Sequence, residues 1–203
     1  MRRWGVAGTV LLGLILESGV LAAAEAVVGG PAPEFSLPDA AGQTRSLSEF
    51  KGKFVVLEWF NNECPFVGKH YGSGNMQRLQ AAYTGKGIIW LTVVSSAPGK
   101  QGHLLPPQAQ AVIRQRQSHQ TALLLDPDGT VGRRYGAKTT PHLFIINPEG
   151  MVIYAGAIDD TPSTDPADIP TAVNYVQRAL DEALDGRPVS VSKTASYGCS
   201  VKY

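Results

Sequence analysis

Residues 54–65 read Phe-Val-Val-Leu-Glu-Trp-Phe-Asn-Asn-Glu-Cys-Pro, an apolar run followed at once by a polar turn and the pair Cys64–Pro65. An apolar run of this length predicts a buried strand. Proline is tolerated in the first turn of a helix, so we expect a helix to begin at this pair. Unpaired N–H groups and the positive end of the helix dipole stabilise a thiolate there. The position predicts a sulfur nucleophile, with an inert buried cysteine as the alternative.

Length and charge limit the classes of protein to consider. The chain has 203 residues, a formal net charge of +1 and ordinary apolar content. This length predicts one domain with a full hydrophobic core. Binding to nucleic acid or electrostatic docking on a membrane needs a basic surface, which a nearly neutral chain does not supply. We therefore expect no nucleic-acid partner.

The N-terminal residues have the layout of a signal peptide. Arg2 and Arg3 precede an apolar stretch from Trp4 to Leu16, and Ala22–Ala24 offers small residues for cleavage. This pattern predicts a secretory signal peptide over residues 1–24. Glu17 interrupts the apolar stretch and argues against a membrane-spanning helix. We expect an exported bacterial protein, periplasmic or secreted, in a compartment where disulfides persist.

After the first strand, helical and extended patterns alternate along the chain. Helical stripes fall at Met76, Leu79 and Tyr83, at Ala109, Val112 and Ile113, and from Ala172 to Leu184; extended runs fall at 88–94, 122–125, 142–147 and 151–158. Strand–helix–strand units followed by a hairpin and a helix predict an α/β fold with a mixed sheet covered on both faces. We assign one domain to residues 25–185 and a C-terminal tail to residues 186–203.

A further set of motifs resembles a known family. Residues 33–39 (Pro-Glu-Phe-Ser-Leu-Pro-Asp), Phe50–Lys53 and Cys64–Pro65 resemble the alkyl hydroperoxide reductase/thiol-specific antioxidant branch of the thioredoxin-like proteins. Thr140–Pro141 resembles the cis-proline that faces the reactive cysteine in that superfamily. The resemblance implies a thioredoxin-like (redoxin) domain, a three-layer α/β/α fold with a central mixed sheet. It also implies a peroxiredoxin-like thiol oxidoreductase without a cofactor.

Three positions depart from the patterns of this superfamily. Val67 stands where a thioredoxin has the second cysteine of Cys-x-x-Cys. Leu57 and Asn61 stand where peroxiredoxins have the proline and threonine of Pro-x-x-x-Thr-x-x-Cys. The single site cysteine is peroxiredoxin-like, whereas Pro141 is thioredoxin-like. The sequence therefore leaves open whether the substrate is a peroxide or a protein disulfide, and which thiol reductant protein regenerates the site.

Glu58 is the one charged residue within the predicted strand. By resemblance it occupies the position of the buried carboxylic acid behind the cysteines of thioredoxin. Burial of an unpaired carboxylate is costly, and a site accepts that cost to keep a proton acceptor close to the thiol. We therefore expect Glu58 to serve as a proton acceptor for Cys64. The alternative is that Glu58 is a partly exposed strand residue that reaches water. Lys69 and His70 point away from the Cys64 face of the helix, and we expect them on ordinary polar surface.

Cys199 is the second of the two cysteines and lies on the C-terminal tail. The tail has no clear periodicity, so we expect it to be loosely held and long enough to reach Cys64. Cys199 is then the candidate resolving thiol, pairing within one chain or across a homodimer, with a free thiol as the alternative. The candidate catalytic residues are thus Cys64, Cys199 and Glu58, and the candidate substrate-binding residues are Asn61, Pro65, Thr140 and Pro141.

The competing class is a non-catalytic module that binds a partner protein or a metal such as copper. Cysteine and histidine together suit copper. However, no cysteine precedes Cys64, and His103, His119 and His142 show no ligand spacing. We therefore expect no metal site.

Overall fold

The computed structural model describes Met1 and residues 25–203. Apart from Met1, the predicted signal peptide lies outside the described residues. In the part of the chain that is described, no helix combines the length and the apolar character needed to cross a membrane.

Nine short strands and five α-helices make up the described domain. Strands β1–β9 span Ser36–Pro38, Thr44–Ser46, Val55–Trp59, Ile89–Val94, Ala122–Leu125, Thr139–Thr140, His142–Ile146, Val152–Gly156 and Cys199–Ser200. Helices α1–α5 span Pro65–Gly72, Asn75–Thr84, Pro106–Arg116, Thr130–Arg134 and Tyr175–Leu184, with 3₁₀ turns at Leu47–Phe50 and Pro166–Asp168.

The central sheet has five strands in the order β5-β4-β3-β7-β8. Strands β3, β4 and β5 run parallel, whereas β7 is antiparallel to both β3 and β8. All five residues of β3 are buried, as its continuous apolar run predicts for a strand with both faces covered. The predicted mixed sheet is therefore confirmed, with the strand that leads to Cys64 at its centre.

Helices and loops cover the sheet on both sides. On one face, Val56 of β3 and Phe60 directly after the strand pack with apolar residues of α1, α2, α3 and α5. On the other face, Val55, Leu57 and Trp59 pack with α4 and the N-terminal hairpin β1–β2. Successive residues of a strand point to opposite faces, so one apolar strand serves both cores. The thioredoxin-like three-layer α/β/α arrangement is confirmed.

Helix α5 begins later than its apolar stripe suggests. Its N-cap is Asn174, whose side chain accepts a hydrogen bond from the Gln177 backbone N–H at 2.8 Å. Ala172 and Val173 therefore lie before the helix, and Val173 is exposed. A side-chain cap satisfies an N–H group that the first turn leaves unpaired, so it fixes the start of the helix more firmly than the apolar spacing does.

The C-terminal tail is bound to the domain along its length, so the prediction of a loosely held tail was wrong. The backbone N–H of Ala155 donates to Ser192 O at 3.0 Å, and that of Ala97 donates to Lys202 O at 2.8 Å. Tyr203 donates its hydroxyl to Ala137 O at 2.8 Å. These contacts are hydrogen bonds to several separate elements, and they do not require apolar residues at regular spacing in the tail.

Candidate active site

Cys64 lies where the central strand gives way to the first helix. It is the N-cap residue of α1, and Pro65 occupies the first helical position. The Cys64 N–H donates to Asn61 O at 3.1 Å, and the Asn61 side chain accepts from the Glu63 N–H at 2.9 Å. The predicted helix start is confirmed. The structure places Asn61 in the turn that shapes the approach to the helix.

The bond between Thr140 and Pro141 is cis and lies beside Cys64. The Cys64 thiol donates to Thr140 O, with 3.0 Å between Sγ and the oxygen. Strand β7 begins directly after Pro141 and pairs with β3, so the sheet brings the two segments together. The structure therefore places the Thr140 carbonyl against the sulfur, with the cis bond to Pro141 directly after it, as the resemblance implies.

The tail brings Cys199 to the same place. Strand β9 pairs antiparallel with β6, and Cys199 lies opposite Thr140 in the register. Thr140 contacts both cysteines: its carbonyl oxygen accepts from the Cys64 thiol, and its hydroxyl donates to the Cys199 carbonyl oxygen at 3.4 Å. Both cysteines are free thiols. Cys64 is 1% exposed and Cys199 is partly exposed. The two candidate thiols are therefore neighbours within one chain, with Cys199 on the solvent side.

The two thiols have opposite pKa shifts. Burial raises the pKa of Cys64, but the neighbouring groups of Cys199, Thr140 and Val67 outweigh burial and leave the pKa below its ordinary value. The contact with the Thr140 carbonyl opposes this shift, since it stabilises the protonated thiol. Burial and the neighbouring Cys64 raise the pKa of Cys199 to about 11. Cys64 is the thiol that ionises first.

Glu58 lies in β3, fully buried on the same face of the sheet as Cys64. Its carboxylate accepts hydrogen bonds from Trp90 Nε1 at 2.8 Å, Tyr71 Oη at 2.9 Å, and Gln80 Nε2 and Thr92 Oγ1, both at 3.3 Å. Burial raises the pKa of Glu58 to about 7, although these donors favour the ionised form. Among the described residues its hydrogen-bond partners are these four, so Glu58 and Cys64 share a face without sharing a hydrogen bond.

Lys69 and His70 are buried rather than on the surface, so the prediction of ordinary polar surface was wrong. Lys69 Nζ lies 3.7 Å from Asp159 Oδ2 and donates to Thr161 O at 2.9 Å. Burial lowers the pKa of His70 to about 4, so the ring is neutral near pH 7 and its contact with Asp159 at 3.8 Å is not an ion pair. The loop after β8 and the tail cover this part of α1, which the helical period alone does not reveal.

Tyr197 joins the tail to this cluster. Its hydroxyl donates to Asp159 Oδ1 and lies 3.3 Å from His70 Nε2. The Asn75 side-chain amide donates to His70 Nδ1 at 2.9 Å, which places the ring proton on Nε2, facing Tyr197. The Tyr197 ring packs against Phe66 of α1, with 5.8 Å between the ring centroids. We call Lys69, His70, Asp159 and Tyr197 the Asp159 cluster.

Sequence reasoning also missed an arginine that holds the turn before Cys64. Arg116, at the end of α3, donates from Nε to Asn62 Oδ1 at 3.0 Å and from Nη2 to Asn62 O at 3.1 Å. A planar guanidinium making two bonds to one residue fixes both distance and orientation. Arg116 continues the spacing of Ala109, Val112 and Ile113, so the helical period gives its face but not its contact with the turn before Cys64.

Residues 25–203 contain no group of three or more His, Cys, Asp or Glu side chains arranged to hold a metal ion.

With this geometry in place, comparison with known proteins identifies the family. Residues 28–155 match the AhpC/TSA family. The chain belongs to the AhpC/TSA family. This AhpC/TSA protein is 27% identical over 143 residues to the thiol-disulfide oxidoreductase ResA of Bacillus subtilis, covering 70% of this chain and 74% of that protein.

Two further proteins are similar to this chain. The thiol:disulfide interchange protein DsbE of Allochromatium vinosum is 26% identical over 137 residues, which cover 66% of this chain and 69% of that protein. The crystal structure of a conserved, uncharacterized protein of Geobacillus kaustophilus superposes with a TM-score of 0.76 at 27% identity, covering 87% of this chain and 92% of that chain. The AhpC/TSA protein is thus similar to thiol–disulfide oxidoreductases of the thioredoxin fold.

Proposed function

We propose that this protein is a thiol oxidoreductase in which Cys64 attacks the substrate and Cys199 resolves the product. The observation that carries the proposal is the pair of adjacent free thiols with opposite pKa shifts. A thiolate is the nucleophile in sulfur chemistry, and its resolving partner must be close enough to form a bond. Cys64 supplies the nucleophilic thiolate at the start of α1, and Cys199 supplies the resolving thiol from the tail.

With a peroxide, the Cys64 thiolate attacks one oxygen of the O–O bond. Cys64 becomes a sulfenic acid, and the other oxygen leaves as an alkoxide or hydroxide that takes up a proton. Cys199 then attacks the sulfenic sulfur, forming a disulfide and releasing water. The cysteine pair loses two electrons, and the peroxide gains them.

With a disulfide, the Cys64 thiolate attacks one sulfur and the other leaves as a thiolate, giving a mixed disulfide. Cys199 loses its proton, attacks Cys64 Sγ and releases the second substrate thiol. The substrate disulfide is reduced to two thiols, and Cys64 and Cys199 form a disulfide. In both routes an external dithiol protein returns the pair to the reduced state and is itself oxidised.

We assign Glu58 the part of proton acceptor within this proposal. A carboxyl with a pKa of about 7 takes up and releases protons near neutral pH. Its four hydrogen bonds hold it on the Cys64 face of the sheet. In a folded Glu58→Gln variant, alkylation and peroxide reaction of Cys64 should slow. Unchanged rates would make Glu58 a structural residue.

The deciding experiment compares two oxidants on the same chain. Wild type, Cys64→Ser and Cys199→Ser are treated separately with hydrogen peroxide and with a small disulfide. Loss of thiol and its recovery with a dithiol reductant are then followed. We expect a Cys64–Cys199 linked peptide in wild type, a persistent Cys64 sulfenic acid in Cys199→Ser, and no oxidation in Cys64→Ser. The ratio of the Cys64 rates with hydrogen peroxide and with the small disulfide identifies the preferred oxidant. If Cys64 reacted with neither, the proposal would be contradicted.

Two further parts of the proposal are separately testable. The docked tail favours pairing within one chain over pairing across a homodimer, so non-reducing electrophoresis of the oxidised protein should show a monomer band. We also propose export, based on the sequence of residues 1–24. Fractionation of a bacterial host should then find the protein outside the cytoplasm with an N-terminus near Glu25, and a chain confined to the cytoplasm with its leader would contradict export.

A further inference from the structure

The tail occupies the free edge of the short strand beside the reactive cysteine. Strand β9 pairs with β6 in the register Thr140 to Cys199 and Thr139 to Ser200. The Val201 N–H continues this pairing by donating to Lys138 O at 3.0 Å. An extended peptide that presented a disulfide to Cys64 beside Pro141 would need this same edge, because main-chain pairing is how extended peptides add to a strand. The tail and such a peptide therefore compete for one place.

Gly198 shows how closely the tail approaches this edge. Its φ is +129°, and a Cβ atom built on it would lie 2.1 Å from the Thr140 carbonyl oxygen. That oxygen is main chain held between β6 and the cis bond, so it cannot move aside as a flexible side chain could. The tail fits this edge because residue 198 is a glycine.

The Asp159 cluster holds the tail in this position. Tyr197 precedes Gly198 directly, and its hydroxyl is bonded to Asp159, which is also paired with Lys69. The Tyr197 ring covers Phe66 in the first turn of α1. Bonds to buried charged groups are stronger than neutral ones, so the cluster is a firm anchor at the point where the tail crosses the site.

We infer that residues 197–200 are an internal substitute for a peptide substrate, which excludes protein disulfides from Cys64 until the tail is released. The inference rests on the proposed thiol chemistry of Cys64. With the tail docked, only a small oxidant reaches the sulfur. With the tail released, a cysteine-containing extended peptide pairs with β6. The Cys64 thiolate then attacks its disulfide, one peptide sulfur leaves as a thiolate, and a mixed disulfide remains.

The test uses the full chain with Cys199→Ser, so that Cys64 is the reacting thiol. Gly198→Ala introduces the clash with Thr140 and should release the tail. Gly186→Ala is the matched control, because Gly186 also has a positive φ, +70°, but nothing lies within 4 Å of its added Cβ. Both variants place an alanine at a positive φ, and only Gly198→Ala also puts a Cβ atom against the docking edge at Thr140.

Three reagents are compared on each variant: iodoacetamide, a polymer-linked maleimide and a peptide disulfide. Iodoacetamide corrects for any change in the Cys64 pKa. A reagent that needs the released tail reacts in proportion to the released fraction. The rates of the two bulky reagents relative to iodoacetamide should therefore rise about tenfold or more in Gly198→Ala over Gly186→Ala. Equal relative rates in the two folded variants would overturn the inference.

Failure of the inference and failure of the proposed function give different results. If Cys64 reacts with neither peroxide nor disulfide, but the relative maleimide rate still rises in Gly198→Ala, the tail covers the site and the proposed function is wrong. Should Gly198→Ala not fold, Tyr197→Phe replaces it, with Tyr83→Phe as its control. Each removes one tyrosine hydroxyl bonded to an aspartate, Asp159 or Asp181. Equal relative rates in that pair overturn the inference as well.

Discussion

The buried carboxyl of Glu58 makes folding stability depend on pH in a direction opposite to that of most acidic residues. Its pKa rises from the ordinary value of 4.5 to about 7 in the folded protein. Between these values the folded chain holds a proton that the unfolded chain has lost. The free energy of unfolding therefore falls as the pH rises through this window. The difference between the two pKa values corresponds to a loss of about 3 kcal/mol in the free energy of unfolding between pH 4.5 and pH values above 7.

Glu58→Gln removes this titration and keeps the shape of the protonated side chain. The amide oxygen still accepts from Trp90 Nε1, and the amide nitrogen meets the Tyr71 hydroxyl, which is able to accept. We therefore expect the variant to lie close to wild type at pH 4.5 and to exceed it by about 3 kcal/mol near pH 8. Every other titrating group is common to both chains, so its contribution cancels in the comparison.

Urea unfolding in the presence of a reductant, measured at half-unit steps from pH 4.5 to pH 8, gives the two stability curves. Glu149→Gln, at an exposed hairpin turn, is the control for loss of one negative charge and should follow the wild-type curve. Parallel curves for wild type and Glu58→Gln would show that Glu58 does not titrate in this window. The reasoning from burial would then be refuted.

Three further predictions concern the thiol pair, the Asp159 cluster and the packing of α2. In Cys199→Ala, the Cys64 pKa from pH-dependent iodoacetamide alkylation should be higher than in Cys199→Ser, because serine keeps a hydrogen-bond donor beside the sulfur; equal values would remove Cys199 from the causes of the shift. Lys69→Met should lower the free energy of unfolding, measured in urea, by roughly 3 kcal/mol, because it leaves the Asp159 carboxylate buried without its cation. The double variant with Asp159→Asn should recover part of that loss. No recovery would mean that lost packing, and not the buried charge, causes the effect. Tyr83→Phe should cost about 1 kcal/mol in the same assay, since its hydroxyl bonds to α5 are half-buried, and an unchanged midpoint would contradict this.

The sequence predicted the parts of the fold that depend on continuous local patterns. The run around Leu57 is long and apolar on both faces, so its place at the sheet centre followed from hydrophobicity. The position of Cys64 followed from Pro65, whose missing N–H suits the first helical turn. Resemblance supplied the cis bond before Pro141, which periodicity does not encode.

The parts that escaped prediction depend on contacts between distant segments. Strand β9 has two residues, too few to show an alternating pattern, and it forms because Gly198 lets the chain come close to Thr140. The burial of Lys69 depends on a loop that contributes Asp159. A helical wheel of α1 shows which way a side chain points, but it does not show what another segment lays over it.

Cys64 and Cys199 are neighbours in space but lie roughly 135 residues apart along the chain. A bond between them would close most of the domain into one covalent ring. In the chain-entropy description, a ring of that length lowers the freedom of the unfolded chain by about 5 kcal/mol. In each proposed catalytic cycle the chain would then pass from the reduced form to the form closed by the Cys64–Cys199 disulfide and back. The supply of reductant would thereby set the resistance of the protein to unfolding and proteolysis, as well as its readiness to react.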